Sequence, residues 1–224
     1  MSLLKKRSIN HLRSEMVQHQ IADRGISSHL VLQAMLAVAR EAFLPQSQKE
    51  FAYQDRPLPI AQGQTMSQPY IVALMTEALE LQGGESVLEI GTGSGYAAAV
   101  LSQIANQVYS VERIAQLASQ AAATLAELGY HNVSVRHGDG TVGWLEHAPY
   151  DAIVVTAGGP VVPEALKAQL KIGGRLVIPV GPDLHLQELR RVVRVSDLHY
   201  NSETLAGVRF VPLLGAQGWA ILNP

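Results

Sequence analysis

Glycines stand at alternate positions in Val87-Leu88-Glu89-Ile90-Gly91-Thr92-Gly93-Ser94-Gly95-Tyr96. Glycine lets a chain turn sharply and lets a ligand approach the backbone closely. Two acidic residues follow further on: Glu112 in VYSVER, and Asp139 beside Gly140 in RHGDG. A carboxylate such as Glu112 can accept hydrogen bonds from both hydroxyls of a ribose. Gly91, Gly93, Gly95, Glu112, Asp139 and Gly140 are therefore candidates for holding a nucleoside.

Three ligand classes compete. A triphosphate site wants G-x-x-x-x-G-K-[ST], with a lysine on the phosphates. No lysine lies near this turn. A dinucleotide site wants G-x-G-x-x-G. Here the third glycine comes one residue early, and Tyr96 takes the expected place. A methyl donor, S-adenosyl-L-methionine, carries no phosphate. It needs close backbone approach, an acidic partner for its ribose and tolerance of a cationic sulfonium. Acidic residues in or after three successive strands (Glu89, Glu112, Asp139) favour the cationic ligand. Thr156 and Ala157, not an acid, follow the fourth strand. Glu89 lies inside its strand and also reads as a buried, hydrogen-bonded carboxyl.

The surrounding pattern supplies the elements that must position these residues. SVLEIG, QVYSVE, VSVRHG, YDAIVVTA and GGRLVIPV read as short apolar strands. YAAAVLSQIA, RIAQLASQAAATLAELG and VPEALKAQL read as helices between them. Strands alternating with helices give a parallel sheet with right-handed crossovers. The near-continuous apolar strands agree, because such strands are buried on both faces. ELRRVVRVS and LAGVRFVPLLG have no helix between them, which predicts an antiparallel pair at one end of the sheet. Residues 1 to about 45 read as helical, with Gly25 as a stop and Pro45 ending the second helix. YQDRPLPIAQGQTMSQP reads as an ordered loop without strand or helix pattern. A helix is predicted from Pro69 to about Leu81.

The expected fold is α/β and Rossmann-like: a mostly parallel, doubly wound sheet with a C-terminal antiparallel addition and an N-terminal helical extension. One domain of 224 residues is expected, divided as 1–81, 82–182 and 183–224. Cysteine is absent, so thiolate chemistry and disulfides are excluded. The eight histidines show no zinc spacing, and no metal is expected. Net charge is −2, without the basic stripe expected of a nucleic-acid binder. The N-terminus lacks the apolar region of a secretory signal, and no apolar run reaches a membrane span. A cytoplasmic monomer is expected. GTGSGY is not in frame for the G-x-S-x-G of a serine hydrolase.

Beyond this pattern, VLEIGTGSGYAAAVL, VYSVER, RHGDG, YDAIVVTAG, VPEAL, GGRLVIPVG, VRFVPL, REAFLP and GQTMSQPYIVALMTEAL resemble the protein-L-isoaspartate O-methyltransferases. The likeness spans about residues 35 to 215, and GQTMSQPYIVALMTE is its most specific part. The resemblance implies methyl esterification, from S-adenosyl-L-methionine, of the free α-carboxylate of L-isoaspartyl residues in damaged proteins. Such proteins and peptides would be its partners. It also implies that Ser67 is the active-site serine and Glu112 the ribose ligand. Asp139 and Gly140 would contact adenine, and the Thr65–Ser67 loop would close over the methyl group. Departures are Ala61-Gln62 where a glycine is expected, Met66 for isoleucine, and Gly158-Gly159 for an alanine pair. A carboxylate is already ionised at pH 7, so no general base is required. VRFVPL is expected to pair with extended peptide by strand addition.

Overall fold

A computed structural model describes residues 9–183 and 185–220. The part of the N-terminal reading that falls on residues 1–8 lies outside them. The N-terminal part holds α1 (Ile9–Glu15), α2 (His29–Ala37), the short strands β1 (Leu58–Pro59) and β2 (Thr65–Met66), and α3 (Pro69–Ala78). The alternating part runs β3 (Ser86–Ile90), α4 (Tyr96–Ser102), β4 (Gln107–Glu112), α5 (Ala115–Glu127), β5 (Val133–His137), β6 (Tyr150–Val155), α6 (Glu164–Ala168) and β7 (Leu170–Val180). It closes with β8 (Gln187–Arg194) and β9 (Tyr200–Val208).

The seven-stranded sheet has the order β5-β4-β3-β6-β7-β8-β9. β3 through β7 pair in parallel, and β8 and β9 add antiparallel to β7. The α/β expectation and its antiparallel edge both hold. Side chains alternate across a strand, so neighbours enter opposite layers. Val87 joins the core under α1 to α4, and Leu88 joins the core with Trp144, Leu166 and Leu170. Each fully buried leucine of this kind stabilises by roughly 1.5–3 kcal/mol. α5 buries Leu117, Ala118, Ala121 and Leu125 on one face, the spacing of an amphipathic helix.

Four readings need correction. The loop before α3 contains an antiparallel pair, with Leu58 opposite Met66 and Pro59 opposite Thr65. Leu58 and Met66 are both buried, which anchors a pair too short to show a period. Its connecting turn places Gln62 at φ 60°. That left-handed conformation favours glycine, which explains the glycine expected there. Next, α1 widens into a π-helical turn over Met16–Ile21. An i to i+5 repeat puts both Met16 and Ile21 into the core. Third, α2 ends at Ala37 with Val38 extended, well before Pro45. Finally, the last strand runs Tyr200–Val208, so VRFVPL lies largely beyond it. There Gln187 holds the Phe210 N–H at 2.8 Å, and Gly158 bonds Val211 and Leu213.

Candidate active site

β3 ends between β4 and β6, where the strand order reverses. Ligands of open α/β sheets bind at such a point, beyond the carboxyl ends of the strands. The Gly91 N–H donates to the Val111 carbonyl at 2.8 Å, and the chain then turns over β3. Gly91, Gly93 and Gly95 all have positive φ, at 97°, 55° and 90°. A Cβ at Gly91 would lie 2.4 Å from Thr156 Oγ1, whose hydroxyl donates to the Gly91 carbonyl at 2.7 Å. Gly91→Ala is therefore expected to destabilise by about 2–4 kcal/mol, from strain plus the displaced Thr156. Urea unfolding checks this; a loss under half a kcal/mol would contradict it. Gly95 serves packing, since a Cβ there would meet Leu125 at 3.2 Å. At Gly93 the nearest atom would be Ile60 Cδ1 at 3.6 Å, an ordinary contact.

Glu112 is the last residue of β4 and is 6% exposed. Its Oε2 accepts the Gly93 N–H at 2.9 Å, and its Oε1 accepts the Ile114 N–H at 2.9 Å. The carboxylate thus ties the glycine turn to the start of α5. Each oxygen keeps further acceptor capacity. Glu112 lines a cleft together with Ile90, Gly91, Gly93, Val111, Ile114, Gly140 and Leu213.

Asp139 and Gly140 divide their duties. Gly140 lines the cleft. The Asp139 carboxylate accepts from the Thr141 N–H at 2.8 Å, the Thr141 hydroxyl at 2.7 Å and the Ala216 N–H at 2.8 Å. Burial opposes its ionisation, but these donors and the nearby Arg113 charge outweigh burial and hold its pKa below the usual aspartate value. Asp139 thereby fastens the C-terminal segment, whose Leu213 and Leu214 form the far wall of the cleft.

Thr65 and Ser67 stand across from the glycine turn. A groove of about 890 Å³ runs from Thr65, Ser67 and Ile71 to His185, Arg209 and Phe210. A small cavity joins Thr65 and Ser67 to Gly91, Gly93 and Tyr96. Thr65 and Thr156 line the cleft, the groove and this cavity alike. Ser67 does not cap α3: the capping position is Gln68, without a side-chain bond. Among the described residues no hydrogen bond engages the Ser67 hydroxyl, while its carbonyl accepts from Arg40 Nη2 at 2.7 Å.

Beneath the turn, Glu89 is fully buried. Ser110 Oγ lies 2.5 Å from Glu89 Oε2 and 2.6 Å from Thr92 Oγ1. Burial pushes the Glu89 carboxyl up to about 8; the Ser110 bond opposes this and the Glu112 charge adds to it. Burial thus favours the neutral form of Glu89, which braces the turn through Ser110 and Thr92.

Sequence reasoning missed Thr156, Arg40 and Arg209 as parts of this region. Thr156 was visible only as the non-acidic residue after the fourth strand. Arg40 was visible only as the first letter of REAFLP, and Arg209 only within VRFVPL.

The residues around the cleft fit a nucleoside that carries positive charge. Glu112 has acceptor capacity for hydroxyls, and Ile90, Val111, Ile114 and Leu213 offer apolar walls for a purine; among the described residues Arg113, not a lysine, is the cation lining the cleft. A sheet that reverses order over a glycine turn, with a carboxylate ending the neighbouring strand, is the architecture of Rossmann-like nucleoside-binding enzymes, the S-adenosylmethionine-dependent methyltransferases among them. A family profile described as protein-L-isoaspartate(D-aspartate) O-methyltransferase matches residues 11–218. The chain belongs to that family. It is 65% identical over 209 residues to a protein-L-isoaspartate O-methyltransferase of Rhodopseudomonas palustris, covering 93% of this chain and 96% of that one. It is 61% identical over 213 residues to protein-L-isoaspartate O-methyltransferase 2 of Pelobacter propionicus, covering 95% of each chain. A solved protein-L-isoaspartate O-methyltransferase matches with TM-score 0.84 and 33% identity, over 92% of this chain and 67% of that one. A Plasmodium falciparum structure in complex with S-adenosyl-L-homocysteine matches with TM-score 0.77 and 24% identity, over 90% of this chain and 98% of that one. At that identity it speaks for the fold.

Proposed function

We infer that the chain methylates the free α-carboxylate of L-isoaspartyl residues in damaged proteins and so initiates their repair. The backbone amide nitrogen on the side chain's far carbonyl then attacks the ester carbonyl and expels methanol, giving a succinimide whose hydrolysis returns part of the material to normal aspartate. The observation that carries this reading is the Ser67 hydroxyl, without a hydrogen bond among the described residues and set at the junction of the substrate groove with the glycine turn. S-adenosyl-L-methionine, when bound, supplies an electrophilic methyl group. Glu112 would accept from its ribose, with Gly91, Gly93 and Gly140 allowing close approach. Thr65 would lie along the same cleft. Gly95 would act by shaping the turn, and Asp139 by holding the segment that covers the cleft.

The chain's remaining work is orientation. The incoming carboxylate is ionised at neutral pH, so no side chain has to remove a proton. Ser67 would donate a hydrogen bond that aims one carboxylate oxygen, and the Thr65–Ser67 segment would exclude water. We propose that residues 1–81, 82–182 and 183–224 act as one unit in this, because the groove and the cleft each draw on all three.

The test is conversion. An isoaspartyl peptide incubated with the chain and S-adenosylmethionine is expected to give succinimide and aspartyl peptide, resolved by chromatography. An unchanged isoaspartyl peptide, with cofactor binding demonstrated, would overturn the reading.

Charge in the groove bears on the substrate. No aspartate or glutamate lines it, and Arg209 is exposed there. Among the described residues Arg209 has no ion pair or hydrogen bond. It would favour an anionic substrate at modest strength, because exposed charges are screened by salt. Arg209→Glu is expected to raise the peptide KM about tenfold, roughly 1.4 kcal/mol, and to leave S-adenosylmethionine affinity unchanged. Steady-state kinetics at two salt concentrations checks this; an unchanged KM at low salt would contradict it.

A further inference from the structure

Arg40 is a large side chain with no exposure to solvent. Among the described residues no carboxylate pairs with it. Its Nε donates to the Ala52 carbonyl at 2.8 Å, and Nη2 donates to the Ser67 carbonyl at 2.7 Å. Its Cζ sits 4.8 Å from the centre of the Tyr96 ring. Nη1 is buried without a partner. Burial of a guanidinium on two carbonyls and a ring is costly. A charge removed from water without a counter-ion loses several kcal/mol, and an apolar residue of similar size often serves stability better. Burial accordingly lowers its pKa, against the opposing influence of Tyr96, Tyr53 and the more distant Asp55 charge.

The partners of Arg40 explain where that cost is spent. Ser67 belongs to the segment facing the groove. Tyr96 is the first residue of α4, directly after Gly95, and is itself buried. Ser67 and Tyr96 both line the small cavity under the glycine turn. One rigid, planar cation thus touches the backbone of the substrate segment and the helix that begins at the cofactor turn. We propose that Arg40 is a positioning residue for methyl transfer: a buried strut that fixes the Thr65–Ser67 segment relative to the glycine turn. This rests on the reading of the site given above. Arginine suits the task because its fork can meet two carbonyls while its face lies on a ring; lysine cannot do all three.

The test uses R40K, which keeps the charge and most of the volume, with R40A as a second variant. Misplacement of about 1 Å costs about 100-fold in an oriented reaction. The expected result for R40K is a kcat at least tenfold lower, with S-adenosylmethionine affinity within about threefold of the parent chain. Guanidinium ion, added to R40A below denaturing concentrations, is expected to restore part of kcat; urea at the same concentration is not. Hydrogen exchange at the 65–67 amides is expected to rise in R40K while that of β3 and β4 stays unchanged. A kcat for R40K within twofold of the parent would overturn the proposal. So would a parallel loss of kcat, cofactor affinity and melting temperature without guanidinium rescue. If the parent chain does not methylate isoaspartyl peptide, the functional reading fails separately, and the exchange pattern alone decides whether Arg40 is the strut.

Discussion

Glu112→Gln is expected to weaken S-adenosylmethionine binding about 100-fold, or close to 3 kcal/mol. The buried carboxylate now serves two backbone donors, Gly93 N–H and Ile114 N–H, each at 2.9 Å. Its remaining acceptor capacity is what a ribose would use. Glutamine keeps the shape but turns one oxygen into a donor. One of the two N–H groups, or one ribose hydroxyl, then faces another donor and is left unpaired. Hydrogen bonds to a charged acceptor are the stronger kind, and a buried group left unsatisfied bears its full desolvation cost. The peptide KM, measured at saturating cofactor, is expected to stay within about twofold, because Glu112 lines the cleft and not the groove. Calorimetric titration with S-adenosylhomocysteine and steady-state kinetics provide the two readings. An affinity within twofold of the parent chain would remove Glu112 from the cofactor site.

The second large effect concerns Glu89 and pH. Burial raises its pKa to about 8 in the folded chain, against an ordinary value of 4.5. Below 4.5 both folded and unfolded states hold the proton, and this group contributes no slope. Between the two values the folded chain keeps a proton that the unfolded chain has lost. Stability from this group therefore falls as pH rises across that window, by roughly 1.4 kcal/mol for each pH unit. Above about 8 both states are ionised, and the contribution levels off. Glu89→Gln carries no titrating proton and can still bond Ser110. Its stability relative to the parent chain is expected to grow from pH 5 to pH 8 by a few kcal/mol and then remain constant. Urea unfolding of both chains from pH 4.5 to pH 9 measures the difference. Parallel stability curves across that range would show that the carboxyl is not held neutral under the glycine turn.

The centre of the sheet was legible in the sequence because β3 and β6 are buried on both faces. SVLEI, QVYSVE and YDAIVV are nearly continuous apolar runs, and glycines mark several of the turns around them. The cleft was legible as a nucleoside site, from a glycine turn after one strand and an acid ending the next, but those two features alone serve a dinucleotide as well as a methyl donor. The substrate side was less so. Thr65 and Ser67 stand in a segment with no periodicity, and only the resemblance singled them out. β1 and β2 are too short to leave a pattern, and they exist because Leu58 and Met66 find the core. The widening at Met16–Ile21 is likewise a packing result that local spacing does not encode. Arg40 was hidden for a related reason. An arginine beside a glutamate reads as a solvated face, and nothing local says that Ala52, Ser67 and Tyr96 will enclose it. The final strand was misplaced because VRFVPL looks apolar and extended. It is indeed extended, but it crosses from β9 to Gly158 and lines the groove instead of continuing the sheet.

The most direct test of the central claim is methyl transfer from labelled S-adenosylmethionine to a synthetic isoaspartyl peptide, beside the matched aspartyl peptide, counted as base-labile ester. Label on the isoaspartyl peptide alone is the expected result. Equal label on both peptides, or none on either with the cofactor bound, would contradict it.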